Sequence, residues 1–210
     1  MKLTFPLIAL LCNVHASELP AYASIQPHVG NPLGANISGS VELRHKKETP
    51  FFIEIRIHGL IPGSIHGLHI HEKQVPGNIQ GANNNCTAAG GHWNPLNGTH
   101  GAPTNDSQKR HMGDLGNFKA DDKGSIIANF TDSLLSFYGE YALKDRAHSF
   151  VVHEKQDDLG LGNNTDSLKT GNAGSRLGCG NINFSEPVYS SASGLVGLPV
   201  AAIIAFSIMF

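Results

Sequence analysis

The sequence is poor in what long helices, membrane spans and polyanion binding require. Only 15% of its residues are charged and 7% are aromatic, and one Trp stands among 210 residues. Lys and Arg (15) are nearly balanced by Asp and Glu (17), so no basic field exists and nucleic acid is excluded as a partner. No stretch sustains the three-and-four spacing of an amphipathic helix, and no internal repeat is present. Three Cys are too few for a scaffold held by disulfides alone. Neither apolar terminal run is long enough to cross a bilayer in the usual way, which takes about 20 residues. What is abundant is Gly (24), Pro (11) and His (12), a composition of turns, loops and imidazoles.

The ends carry processing signals. Met1-Lys2-Leu3 and the apolar run to Leu11 precede the small residues around Ala16, the pattern of a secretory signal peptide over 1–16. Ala23 is a second possible cut. Removing the signal takes Cys12 with it and leaves Cys86 and Cys179 in an oxidising compartment. They are expected to form one disulfide, closing a loop of 93 residues and worth about 4 kcal/mol in chain entropy. At the other end, Leu195 to Phe210 is apolar with no basic residue after it, and small residues Ser190 to Gly194 lie upstream. Residues 186–210 therefore read as a removable glycosylphosphatidylinositol signal, with a short true membrane anchor as the alternative. Seven Asn-x-Ser/Thr sequons fit a secreted or surface-anchored chain, and Asn36 and Asn129 are the favoured acceptors.

Between the ends, Pro20, Pro27 and Pro32 suggest a flexible leader over 17–34, with one β-rich domain over 35–185. Ile37 to Arg44 alternates apolar and polar residues. Phe51, Ile53, Ile55 and Ile57 share one face of a second run, so the two predict an antiparallel hairpin. Gly67–His71, Gly116–Ala120, Ser125–Phe130, Ala147–His153 and Asn181–Phe184 are further strand candidates, and Leu134–Tyr141 reads equally as strand or loop. Two long polar stretches, from Glu72 to Met112 and from Glu154 to Ser175, lack apolar periodicity. Loops that long need a function or a tether. The fold class is all-β, a Greek-key sandwich or barrel of about seven or eight short strands with two long functional loops.

His69 and His71 are two apart on one such strand, so both imidazoles point to one side, ready for one metal. His111 and Asp114 in the first loop, with His92 and His100, offer a closed three-imidazole, one-carboxylate set suited to zinc. The strand pair with His153 offers an all-nitrogen set suited to copper. His28, His45, His58 and His148 show no ligand context.

The motifs Gly67-Leu68-His69-Ile70-His71-Glu72, Cys86 to Pro95, Arg110-His111-Met112-Gly113-Asp114, Val151-Val152-His153-Glu154-Lys155 and Gly171 to Gly180 occur in one order along the chain. In this they resemble the copper/zinc superoxide dismutases. The resemblance implies an eight-stranded Greek-key barrel and an antioxidant oxidoreductase that converts superoxide to oxygen and hydrogen peroxide. It further implies copper on His69, His71, His92 and His153, and zinc on His92, His100, His111 and Asp114, with His92 shared and acting in proton transfer. Asp157 matches a carboxylate that orients His69 and His100, and Cys86–Cys179 matches the family disulfide. Arg176 matches the arginine that receives the anionic substrate, and Lys155 and Lys169 match basic residues near the channel mouth. The segment from His71 to Cys86 is longer than in compact members and falls where the family forms dimers, which leaves homodimerisation open.

Overall fold

The computed structural model of the protein describes residues 19–32, 36–76, 84–145 and 148–184. The segment read as a signal peptide, most of the excess in the first loop (77–83) and the residues after Phe184 lie outside the described residues. Eight strands form one antiparallel sheet: β1 Leu19–Pro27, β2 Ser38–His45, β3 Phe51–His58, β4 Ile65–His71, β5 Asp114–Lys119, β6 Ile126–Asp132, β7 Ser149–His153 and β8 Arg176–Phe184. Their order is β5-β4-β7-β8-β1-β2-β3-β6, and β5 and β6 approach each other to leave a nearly closed barrel. The crossovers in that order are those of a Greek key. Helical structure among the described residues is confined to 3₁₀ turns at Cys86–Ala89 and Leu143–Asp145 and one turn at Ser167–Thr170. No described helix is long and apolar enough to cross a membrane.

The alternation in the sequence becomes the barrel wall. Phe51, Ile53, Ile55 and Ile57 of β3 are buried, as are Val41 and Leu43 of β2, and the two strands pair from Ser38↔His58 to Arg44↔Phe52. Each such side chain contributes about 1.5–3 kcal/mol by leaving water. Outside, Arg44 bridges Glu42 and Glu54, pairs exposed enough to add little.

Two expectations require correction. Within the segment expected to be a flexible leader, 17–34, β1 occupies Leu19–Pro27 and lies between β2 and β8. Its inward residues, Ala21, Ala23 and Ile25, are fully buried, and two of the three are so small that they give almost no hydrophobic signal. Pro20 and Pro27 sit near the strand's ends, where a missing N–H is tolerated. The final strand is also longer than Asn181–Phe184. It starts at Arg176, because Gly178 and Gly180 let β1 pass close, and a Cβ at either would meet the backbone or side chains of residues 24–26 or Ile37. Leu134–Tyr141 lies between strands as turns and bends.

Candidate metal centre

Neighbouring strands and one loop assemble the histidine cluster. β4 carries His69 and His71, and β7 pairs with it so that His69 faces Val151 and His71 faces Ser149. His153 ends β7 opposite Arg176, across an irregularity in the β7–β8 register. The first loop is laid against β4 by backbone bonds: Trp93 N–H donates to Ile70 C=O (2.9 Å), Ile70 N–H to Gly113 C=O (2.9 Å) and Gly113 N–H to Trp93 C=O (3.0 Å). These bonds bring His92 of the loop and Asp114 at the start of β5, 22 residues apart, beside the strand histidines.

Each strand imidazole has one nitrogen occupied by an oxygen and the other turned inward. His69 Nε2 bonds Asp157 Oδ2 (2.8 Å), and its Nδ1 is buried without a hydrogen-bond partner. His71 Nδ1 donates to Gly90 C=O (3.0 Å) and His153 Nδ1 to Gly174 C=O (3.2 Å). The two Nε2 atoms left over stand 3.3 Å apart, too close for two N–H groups, as expected of lone pairs aimed at one cation. One nitrogen from each of His69, His71, His92 and His153 lies within 4.8 Å of the others.

Beside this group, Asp114 Oδ1 is 2.9 Å from His92 Nδ1, 3.0 Å from His100 Nδ1 and 3.2 Å from His111 Nδ1. Asp114 Oδ2 accepts the N–H groups of His111 (2.8 Å) and Gly101 (3.1 Å), which fixes the carboxylate with Oδ1 toward the imidazoles. The His100 contact lacks hydrogen-bond geometry, so the two atoms aim at a common point rather than at each other. By mutual distance His69 also groups with His92, His100 and Asp114. Its Nε2, however, is engaged by Asp157, while His111 Nδ1 lies 3.4 Å from His92 Nδ1, so His111 is the better fourth member. His92 belongs to both groups. Asp157 joins them from behind, with Oδ1 on His100 Nε2 (2.8 Å) and Oδ2 on His69. Gly171, at φ +64°, makes room for that link, since a Cβ there would collide with Asp157 Oδ1 and His100 Nε2.

Residues 37–182 match the family model described as copper/zinc superoxide dismutase. The chain belongs to that family. It is 43% identical over 155 residues to superoxide dismutase [Cu-Zn] 5 of Dictyostelium discoideum, covering 73% of this chain and 94% of that protein. It is 42% identical over 153 residues to superoxide dismutase [Cu-Zn] of Saccharomyces cerevisiae, covering 72% and 93%. Against extracellular superoxide dismutase [Cu-Zn] of Caenorhabditis elegans the identity is 48% over 130 residues, 62% of this chain and 54% of that protein. As a superoxide dismutase the protein is an oxidoreductase that uses copper and zinc, and the two donor sets fit those metals. Four imidazole nitrogens suit copper, and three imidazoles with a carboxylate suit zinc.

Electrostatics separate the two halves of the dismutase cluster. Burial pushes His69 and His71 well below the ordinary imidazole value, reinforced by charge on His92 and His153. His153 falls to about 3, again chiefly through burial. His92 is lowered by burial, partly offset by its bond to Asp114. Burial also opposes charge on His100, but Asp114 and Asp157 outweigh it and raise His100 to about 9. Asp114 is held far below the carboxylate range because its three imidazole partners overcome its burial.

A cleft of about 350 Å³ opens onto the cluster, lined by His71, His92, His153, Asp166, Lys169 and Arg176 among others. The Arg176 guanidinium donates to the carbonyls of Cys86, Thr87 and Gly90, so its charge is held in place, and no carboxylate among the described residues pairs with it. The Cys86–Cys179 disulfide, expected from the cysteine count, ties that carbonyl cradle to β8. Lys169 lines the cleft. Lys155 does not; its stem lies against Gly174.

Two residues of the centre carried no signal on which sequence reasoning settled. His66, on the same strand as His69 and His71, is buried with Nδ1 bonded to His153 C=O (2.7 Å) and Nε2 to Ser64 Oγ (2.6 Å). Arg110 is fully buried, with its guanidinium on the carbonyls of Pro103, His111 and Met112 and on Asp132 Oδ2 (2.7 Å). A charged residue immediately before a ligand candidate was the available clue for Arg110. Its partner Asp132 is distant in sequence, so only the fold joins them.

Proposed function

We propose that the protein is a secreted, surface-held superoxide dismutase in which His69, His71, His92 and His153 hold copper, and His92, His100, His111 and Asp114 hold zinc. The observation that carries this reading is the double membership of His92, with Asp157 linking the two halves from behind. Bound there, copper would supply one-electron redox chemistry toward superoxide, while zinc, which has no redox chemistry, would order its loop.

The chain supplies the rest. Arg176 receives the anion in the cleft and orients it by a fixed planar fork of donors. His92 Nδ1 faces Asp114, so Nε2 is the atom that takes up and delivers one of the two protons that hydrogen peroxide requires; water supplies the other. Lys169 at the rim, with Lys155 against Gly174, draws the anion despite a net charge of −2; superoxide dismutase is itself a worked case of such steering in general electrostatics. Arg176→Ala is expected to lower superoxide consumption about a hundredfold, the scale of losing one donor aimed at an anion, with copper content unchanged. Undiminished consumption by that variant would sink the role of Arg176.

Several features support secretion. A cut after Ala16 leaves β1 whole, whereas a cut after Ala23 removes most of its paired length, so β1 favours the earlier site. The disulfide suits an oxidising compartment, and Asn36 and Asn129 are both exposed. Residues 186–210 serve as the lipid-anchor signal. N-terminal sequencing of the mature protein checks the cut. Release from cells by a phosphatidylinositol-specific phospholipase checks the anchor, and release by detergent alone would instead indicate a short membrane segment.

A further inference from the structure

β1 reaches the dismutase site through His28, a residue that precedes the family match at 37–182. Just after the strand, His28 forms a parallel bridge with Asn84. Asn84 N–H donates to Pro27 C=O (2.7 Å) and Val29 N–H to Asn84 C=O (2.9 Å), so the end of the long first-loop insertion is fastened to the N-terminal strand. The His28 ring extends that contact to Cys86, two residues further along. Its Nδ1 lies 3.1 Å from Asn84 C=O and 3.1 Å from the Cys86 N–H.

Cys86 is thereby held at three points. Its N–H is shared between His28 Nδ1 and Asn84 C=O, both at 3.1 Å, its Sγ is bonded to Cys179, and its carbonyl accepts from the Arg176 guanidinium. With the sulfur fixed to β8, the His28 contact holds the Asn85–Cys86 peptide at the entry to the Cys86–Ala89 turn, whose carbonyls at Cys86 and Thr87 receive the guanidinium. His28 and Arg176 also line one cleft of about 370 Å³ with Thr87, Gly174 and Ser175, so the connection is local.

We infer that His28 is a positioning residue for Arg176, aiming the guanidinium through the Cys86 backbone. This rests on the reading of Arg176 as the group that receives superoxide. A neutral ring with its proton on Nε2 accepts from the Cys86 N–H at Nδ1; a ring protonated at Nδ1 donates to Asn84 C=O. Asparagine offers both an acceptor and a donor at nearly the same place, so it preserves either bond without the ring.

The test uses the metal-loaded mature enzyme and reads two quantities, kcat/KM for superoxide and the dissociation constant of azide followed by optical titration. His28→Ala is expected to weaken both by about twofold to tenfold, the span set by one hydrogen bond, with copper and zinc contents unchanged. His28→Asn is expected to restore both to within about twofold. On an Arg176→Ala background, His28→Ala is expected to have no further effect, because the two act as one unit. The inference is overturned if His28→Ala leaves azide affinity unchanged, if its loss persists in full without Arg176, or if His28→Asn is as impaired as His28→Ala. Full activity of Arg176→Ala alone would remove the parent reading. An impaired Arg176→Ala with an unaffected His28→Ala would remove only the role of His28.

Discussion

His69, His71 and His153 stand on adjacent strands and are kept neutral by burial, whereas His100, His111 and Asp114 belong to a loop and its junction with β5, where a carboxylate gathers the imidazoles. The strand side has a rigid scaffold before any ion arrives, and its imidazoles are neutral near neutral pH, leaving the inward nitrogens without a proton. The loop side is ordered by backbone bonds to Ile70 and by the hub at Asp114, and His100 retains a proton up to about pH 9. One half is therefore prepared by geometry and the other by charge. His92 and Asp157 are the residues through which each half feels the other.

Removing Asp157's second oxygen should give the largest effect, because it strikes both halves. Asp157→Asn leaves one carbonyl acceptor for two imidazole N–H groups and presents an NH₂ to the other. Loss of such an orienting partner typically costs about 10–100-fold in metal affinity. Copper and zinc should both fall in competition with a chelator, and a loss confined to one metal would break the view of Asp157 as a link.

His111→Ala should separate the halves. Zinc retention on dialysis is expected to drop by about tenfold or more while copper binding stays within about twofold, because His111 touches Asp114 and His92 but no strand ligand. An unchanged zinc-to-protein ratio by elemental analysis would overturn its assignment to zinc.

pH should sharpen the comparison further. On the proposed assignment of His100 to zinc, the ion displaces the proton from His100, so its affinity for the metal-free chain should rise about tenfold per pH unit toward pH 9 and then level off. Copper affinity should be much flatter over the same range, since His153 titrates at about 3. Calorimetry in buffers of different ionisation enthalpy should show about one proton released per zinc near pH 7.5, and no release would contradict the elevated value. The smallest effect concerns the metal-free fold. Because His100 is raised from 6.5 to about 9, its stabilisation is fully present below pH 6.5 and is lost as pH rises through 9. Tm of the metal-free chain should fall across that interval, and a rising Tm would reverse the assignment.

Much of this was legible before any coordinates. The period-two pattern of Phe51 to Ile57 and the His69–His71 pair are written in adjacent residues, and a strand needs nothing more to sort them to their faces. β1 was not legible, because Ala21 and Ala23 bury little apolar surface and gain their place only by closing the sheet between β2 and β8. His66 and Arg110 were missed for a related reason. Their partners, His153 C=O and Asp132, lie far away in sequence and come near only across the barrel.

By itself the sequence determined the residue types of the donor set, the strand alternation, the cysteine pair and the order of motifs that marks the superoxide dismutase family. Tertiary structure decided which nitrogen of each imidazole faces the cluster, that His92 serves two groups, that Asp157 stands behind both, and that Cys86 hands the position of β1 on to Arg176. The physical reason is range. Side-chain identity and period are properties of neighbours along the chain, while proton positions, burial and hydrogen-bond partners depend on groups that only the closed barrel brings together.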